Sequence, residues 1–179
     1  MLQKSNYTFK DLDAVAVSKG PGSYTGLRIG VSTAKGFCFA LNIPLISINT
    51  LQHMAAKMVQ EANLKDCLFC PMLDARRMEV YCAIFDSNNK EFLTTEAKII
   101  DDTSFANLLN KTKIVFFGDG AAKCKPALAQ HSNAIFRDDF FPSSRDMVEL
   151  AYQKYMQQHF ENTAYFEPFY LKDFLITAK

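Results

Sequence analysis

The chain has 179 residues, 49% of them hydrophobic, with 20 Lys and Arg against 19 Asp and Glu for a net charge of +1. That length fits one domain or two small lobes with a proper core, and the even charge argues against a strongly basic nucleic-acid module acting alone. No apolar run reaches membrane-spanning length, and residues 1–6 lack the apolar stretch of a signal peptide, so a cytoplasmic protein is expected.

Residues 13–18 read as a strand, with Val15 and Val17 alternating with Ala14 and Ala16. Gly20-Pro21-Gly22 ends it, and a hydroxyl at Ser23 or Thr25 can cap the helix that follows. This helix is expected to run to about Leu41, because the residue before Pro44 disfavours helical backbone. Residues 44–48 form a second strand, and Asn49 or Thr50 caps a helix through about Ala62. Strand, helix and strand at this spacing make a βαβ unit with parallel strands.

After Lys65 the pattern changes. Residues 68–73, 79–85 and 92–100 read as three strands joined by short polar turns, an antiparallel meander. The five cysteines, Cys38, Cys67, Cys70, Cys82 and Cys124, are odd in number and irregularly spaced, the pattern of reduced thiols. Cys67 and Cys70 match C-x-x-C, but residues three apart on a strand point to opposite faces and cannot share a metal. A short helix is expected over 104–110, a strand over 114–117 ending at Gly118-Asp119-Gly120, and partial helix over 121–130. Residues 146–159 form an amphipathic helix with Met147, Leu150, Ala151 and Tyr155 on one face and Ser143 three residues before Asp146 as a capping box. The aromatic tail, residues 165–174, packs on the core.

The first helix is unusual. Gly26, Gly30 and Gly36 lie inside it, each costing about 1 kcal/mol relative to alanine. Leu27, Val31, Ala34, Cys38 and Leu41 form an apolar seam, and Gly26, Gly30 and Ala34 recur every four residues. Small residues at that spacing allow close helix approach, so the spacing fits either docking of a partner helix or tight packing on the chain's own sheet. Phosphate binding at residues 20–25 is the other functional reading, since a glycine turn entering a helix presents free N–H groups. The run lacks the lysine of G-x-x-x-x-G-K-[ST] and misses the G-x-G-x-x-G spacing.

The run Gly20 to Gly36, followed by Pro44-Leu45-Ile46-Ser47-Ile48-Asn49-Thr50-Leu51, resembles the signature of the TsaB (YeaZ) family. Asp74-Ala75-Arg76-Arg77-Met78-Glu79-Val80-Tyr81, Gly118-Asp119-Gly120 and Pro168-Phe169-Tyr170-Leu171 extend the resemblance over nearly the whole chain. It implies an α/β, actin/Hsp70/sugar-kinase-like (ribonuclease H-like) architecture of two lobes. Residues 1–65 would be the remainder of the first lobe and residues 66–179 the second. The family pattern begins with a three-stranded meander and a helix, roughly fifty residues that do not appear ahead of this first strand. The resemblance also implies a non-catalytic subunit that pairs with a TsaD-like catalytic subunit, or with a second copy of its own kind. With a TsaE-like ATPase and TsaC, such a complex installs threonylcarbamoyladenosine next to the anticodon. The subunit would have no cofactor of its own, ATP being used by the complex, and would meet tRNA only through that complex and no membrane. The partner contacts fall on Gly26, Leu27, Arg28, Gly30, Val31, Ala34 and Cys38, and a weak nucleotide site on Gly118, Asp119 and Gly120.

Chemistry of the chain's own is sparse. TsaD-like relatives carry a His-x-x-x-His metal pair just after the second strand; here Thr50 and Met54 hold those positions, and His53 is one place off register. The acid pairs Asp101-Asp102 and Asp138-Asp139 read as solvated turns. Ser23, Thr25 and His53 have no fixed geometry as a nucleophile set. A stand-alone ATP-binding enzyme or a glycoprotease-like peptidase of the same fold is the alternative. Arg28, Lys35, Arg76 and Arg77 are the cations nearest the motifs; each singly reads as solvated surface, with Arg28 best placed for a partner contact.

Overall fold

The structure, a computed structural model, describes residues 5–62, 64 and 66–172. Residues 1–4, 173 and 174, which the sequence reading included in the start and the tail, lie outside the described residues. Two sheets carry the fold. The first holds β1 (Val15–Gly20) and β2 (Leu45–Asn49) in parallel, with α1 (Tyr24–Leu41) crossing between them. α2 (Thr50–Ala62) follows and leads to the second sheet.

The second sheet is built from β3 (Cys67–Asp74), β4 (Glu79–Phe85), β5 (Glu91–Ile99), β6 (Lys113–Phe117) and β7 (Ala134–Arg137). Its strand order is β5-β4-β3-β6-β7, antiparallel through the meander and parallel from β3 to β7. α3 (Ala106–Leu109) precedes β6, α4 (Ala121–Leu128) links β6 to β7, and α5 (Val148–Met156) ends the helical part. β7 went unread in the sequence. With it, β6-α4-β7 repeats the plan of β1-α1-β2, and in both the first strand leads into a glycine at positive φ, Gly20 and Gly118.

Local chemistry explains the boundaries. Ser23 caps α1, its hydroxyl accepting from the Gly26 N–H at 3.4 Å. Asn42 ends the helix in the left-handed conformation with its N–H donating to the Cys38 carbonyl, a role asparagine fills at low steric cost. At α2 the cap is Asn49, whose Oδ1 accepts from the N–H groups of Leu51 and Gln52 at 2.8 and 3.2 Å. The helix expected over 146–159 divides. A 3₁₀ turn, Ser144–Met147, carries the Ser143–Asp146 capping box, and α5 starts only at Val148.

β3 is buried along nearly its whole length, with layers on both faces. Leu68, Cys70 and Met72 meet Ala121, Cys124 and Leu128 of α4 on one side. Cys67, Phe69 and Leu73 meet Leu51, Met54 and Met58 of α2 on the other. Cys67 and Cys70 therefore sit in separate core clusters, and all five cysteines are free and buried.

From α5 onward the chain returns to the first sheet. Lys154 Nζ donates to the Ser47 carbonyl at 2.7 Å, and the Glu161 N–H donates to the Leu45 carbonyl at 2.8 Å. Lys35 Nζ donates to the carbonyls of Ala164 and Phe166 at 3.1 and 2.9 Å, and Phe166 packs on the Ala34–Cys38–Leu45 cluster. Residues 161–172 thus form a strap across the first sheet, so part of the region assigned by sequence to the second lobe packs against the first.

Candidate docking face and interlobe cleft

α1 has two unlike faces. Val31, Ala34 and Cys38 are buried, Ala34 and Cys38 in one cluster with Leu45, Val15, Val17 and Phe166. Burying a valine of this kind stabilises by about 1.5–3 kcal/mol. The expectation that Val31, Ala34 and Cys38 meet a partner is corrected: they hold α1 to its own sheet and offer no surface. Leu27 is half-buried over the Gly20-Pro21-Gly22 turn, its methyls 3.1 Å from a Cβ built on Gly20 and 3.8 Å from one on Gly22.

The opposite face is open. Among the described residues, a Cβ built on Gly36 meets nothing within 4 Å, and one on Gly26 meets only the side chain of its own cap, Ser23. Gly30 faces inward, its Cβ position 3.9 Å from Val17 Cγ2. Ile29 and Phe39 stand 63% and 87% exposed, and Phe37 stacks on Phe9 at 5.4 Å. Arg28 lies over the Tyr24 ring at 5.5 Å. Beside Gly36 and Phe39 the strap residues Asn162, Thr163 and Ala164 border a shallow hollow. Among the described residues these two glycines have no packing partner beyond Ser23, and Gly36 lies two turns from exposed Ile29 on the same side of the helix.

Between the sheets lies a cleft of about 590 Å³. Gly22, Ser23 and Thr25 form one wall, Asp74, Arg76 and Asp119 another, and Phe169 to Lys172 cross it. The strap is fixed there by the Phe169 N–H donating to the Lys19 carbonyl at 2.7 Å, by the Tyr24 and Tyr170 rings at 4.9 Å, and by a Lys172–Glu79 ion pair. Gly20, at φ +115°, has the Phe169 carbonyl oxygen 2.7 Å from its Cβ position.

Gly118, Asp119 and Gly120 have a structural account. A Cβ on Gly118 would fall 2.4 Å from the Met72 carbonyl oxygen, and one on Gly120 would fall 2.8 Å from the Leu73 carbonyl carbon. Asp119 Oδ1 accepts from the Asp74 N–H at 3.0 Å, and the Gly120 N–H donates to the Met72 carbonyl at 3.0 Å. The triplet ties the end of β6 to β3.

The positions aligned with a metal pair serve the core. Thr50 Oγ1 shares a hydrogen bond with Ser18 Oγ at 2.6 Å, and Met54 is fully buried. His53 is buried too, and its Nδ1 has no hydrogen-bond partner among the described residues. Burial pushes its pKa below the usual imidazole value, partly offset by the Asp146 charge. Among the described residues no three His, Cys, Asp or Glu side chains gather to hold a metal ion. No helix among them is long and apolar enough to cross a membrane.

A meander-led sheet of order β5-β4-β3-β6-β7 beside a second βαβ unit that repeats its last strands defines an α/β protein of the actin/Hsp70/sugar-kinase class. A family model described as "TsaD: tRNA N6-adenosine threonylcarbamoyltransferase" matches residues 1–178. The chain belongs to that family, in its TsaB (YeaZ) branch. It is 28% identical to the tRNA threonylcarbamoyladenosine biosynthesis protein TsaB of Escherichia coli (strain K12), over 97% of this chain and 76% of that one. It is 41% identical to the TsaB protein of Bacillus subtilis (strain 168) over a shorter stretch, 45% of this chain and 33% of that one. A crystal structure from Pseudomonas aeruginosa, described as similar to peptidase YEAZ, superposes with a TM-score of 0.80 at 21% identity, covering 96% of this chain and 79% of that one.

Proposed function

We propose that the chain is a non-catalytic scaffold subunit of a cytoplasmic tRNA threonylcarbamoyladenosine synthesis complex. It docks through the outer face of α1 onto a TsaD-like catalytic subunit, or onto a second copy of its own kind. A TsaE-like ATPase completes the complex, which uses ATP and brings in the tRNA. The pathway is supported by the names of the TsaB relatives. The docking role is carried by one observation: among the described residues nothing packs on α1 at Gly36 and only its own cap, Ser23, meets Gly26, while Ile29 and Phe39 of the same helix are exposed. The absence of catalysis is supported by Thr50, hydrogen-bonded to Ser18, and Met54, buried in the core, where the enzyme branch places its histidine pair.

The test is co-elution with a TsaD-like subunit. Gly36→Leu places a bulky side chain on this exposed position and leaves the fold intact, since nothing among the described residues lies within 4 Å of its Cβ position. Ile29→Asp puts a charge on the same face. Both should abolish co-elution while circular dichroism stays unchanged. Gly30 is the wrong probe, because a leucine there would press on Val17 and loosen the first sheet. Retained co-elution of both variants would refute docking through this face.

A further inference from the structure

The turn between β3 and β4 sets its backbone against its residues. Arg76 and Arg77 both lie in the left-handed region, at φ +73° and +49°. Two consecutive residues at positive φ suit Asn-Gly or Asp-Gly, and other side chains there cost free energy. Of the other non-glycine residues at positive φ among the described residues, three are asparagine (Asn6, Asn42 and Asn89) and three are Asp66, Phe105 and Gln158. Two adjacent arginines are not what turn geometry favours.

The surroundings hold that conformation in place. Asp74 Oδ1 accepts from the Arg76 N–H at 2.6 Å and from Lys123 Nζ at 2.9 Å, and Lys123 Nζ also donates to the Glu79 carbonyl at 2.7 Å. The Ala75 N–H donates to the Glu79 carbonyl and the Glu79 N–H to the Arg76 carbonyl, both at 3.1 Å. The two flanking carboxylates are taken, Asp74 by Lys123 and Glu79 by Lys172. Among the described residues, neither Arg76 nor Arg77 has an ion-pair partner, and both are exposed. A guanidinium fork matches the oxygens of a phosphate. Arg76 borders the interlobe cleft while Arg77 does not. Two adjacent exposed guanidinium groups, only one of them lining the cleft, can each take a phosphate of a polyanion.

We propose that Arg76 and Arg77 form a phosphodiester-binding turn that contacts the backbone of the RNA substrate, an inference that rests on the function proposed above. The test is the double variant Arg76→Asn/Arg77→Gly in complex with the TsaD-like subunit, titrated with unmodified tRNA over a series of salt concentrations. Relief of strain should raise the melting temperature of the chain by about 2 °C or more, and co-elution should be unchanged. Loss of two phosphate contacts at ~0.7 each should make the log–log salt slope shallower by ~1.4 and weaken binding about 25-fold at 0.1 M monovalent salt. An unchanged dissociation constant and slope in an intact complex would overturn the proposal. Lost co-elution of the double variant would assign the pair to an acidic surface of the protein partner and overturn it equally. Should the wild-type chain itself fail to co-elute, the docking reading falls. The arginines are then tested on the chain alone at low salt, where equal tRNA binding by wild type and variant would overturn their assignment.

Discussion

Replacing Gly118 by alanine should cost this protein a large share of its stability. At φ +98° an L side chain is strained, by about 1–3 kcal/mol. The added Cβ would lie 2.8 Å from Met54 Cε, a flexible end that can swing away, and 2.4 Å from the Met72 carbonyl oxygen, which cannot. Restoring contact distance needs β3 and the end of β6 to part by roughly 1 Å, beyond normal hydrogen-bond reach. That separation breaks the 3.0 Å bond from the Gly120 N–H to the Met72 carbonyl. Losing it in a buried strand crossing costs about 1–3 kcal/mol more. The sum is about 2–6 kcal/mol, against a total of about 5–15 kcal/mol for a typical domain. Urea unfolding followed by circular dichroism measures it. Gly36→Ala is the control: in open space the same chemical change should add about 1 kcal/mol and raise the melting temperature by about 2–4 °C. A Gly118→Ala loss under about 1 kcal/mol would show that the β3–β6 junction yields, and the structural account of the triplet would fail.

Two other outcomes are expected. His53 has a folded pKa below its unfolded value of 6.5, so its stabilising contribution is complete above that pH and is lost as the pH falls toward the folded value. Urea midpoints between pH 7.5 and 5 should drop in wild type and drop less in His53→Gln; parallel slopes would dismiss the buried imidazole as the cause. Burial pushes the Cys124 thiol up to about 11 and Cys70 well above the usual thiol range. Ellman's reagent at pH 8 should therefore find neither reactive in the native chain and all five cysteines reactive in guanidinium, while rapid native labelling of either would contradict the packed core around α4.

The sequence made the regular elements plain because their signals are local. Ser23, Asn49 and the Asn42-Ile43-Pro44 stop fix the ends of α1 and α2 within a residue or two. β7 escaped because four residues, Ala134–Arg137, are too few for alternation to register. The helix expected from residue 146 started late because the Ser143–Asp146 box caps a 3₁₀ turn first. Val31, Ala34 and Cys38 fall among the expected partner contacts but are buried on the chain's own sheet, for a geometric reason. Four residues advance a helix by about 400°, so a repeat of four drifts by about 40° each time. Gly26, Gly30 and Ala34 therefore walk from the outer face of α1 to its inner one, and only Gly26 of the three is exposed. Gly36, which is exposed, breaks the repeat, so the four-residue spacing leaves it out of the expected partner contacts. The αL backbone at Arg76 and Arg77 left no trace in residue type, because arginine is not a residue that signals such a turn.

The strap has a consequence for the order in which the molecule is made. Lys35 is bound by carbonyls 129 and 131 residues downstream, and the Ser47 hydroxyl pairs with Glu161, 114 residues on. The small core under α1 takes Phe166 as one of its walls. A chain emerging from the ribosome can assemble the second sheet from near neighbours while the first sheet still waits for its cover. The half of the protein synthesised first is thus the half completed last, and any chain that stops short of residue 166 leaves it open.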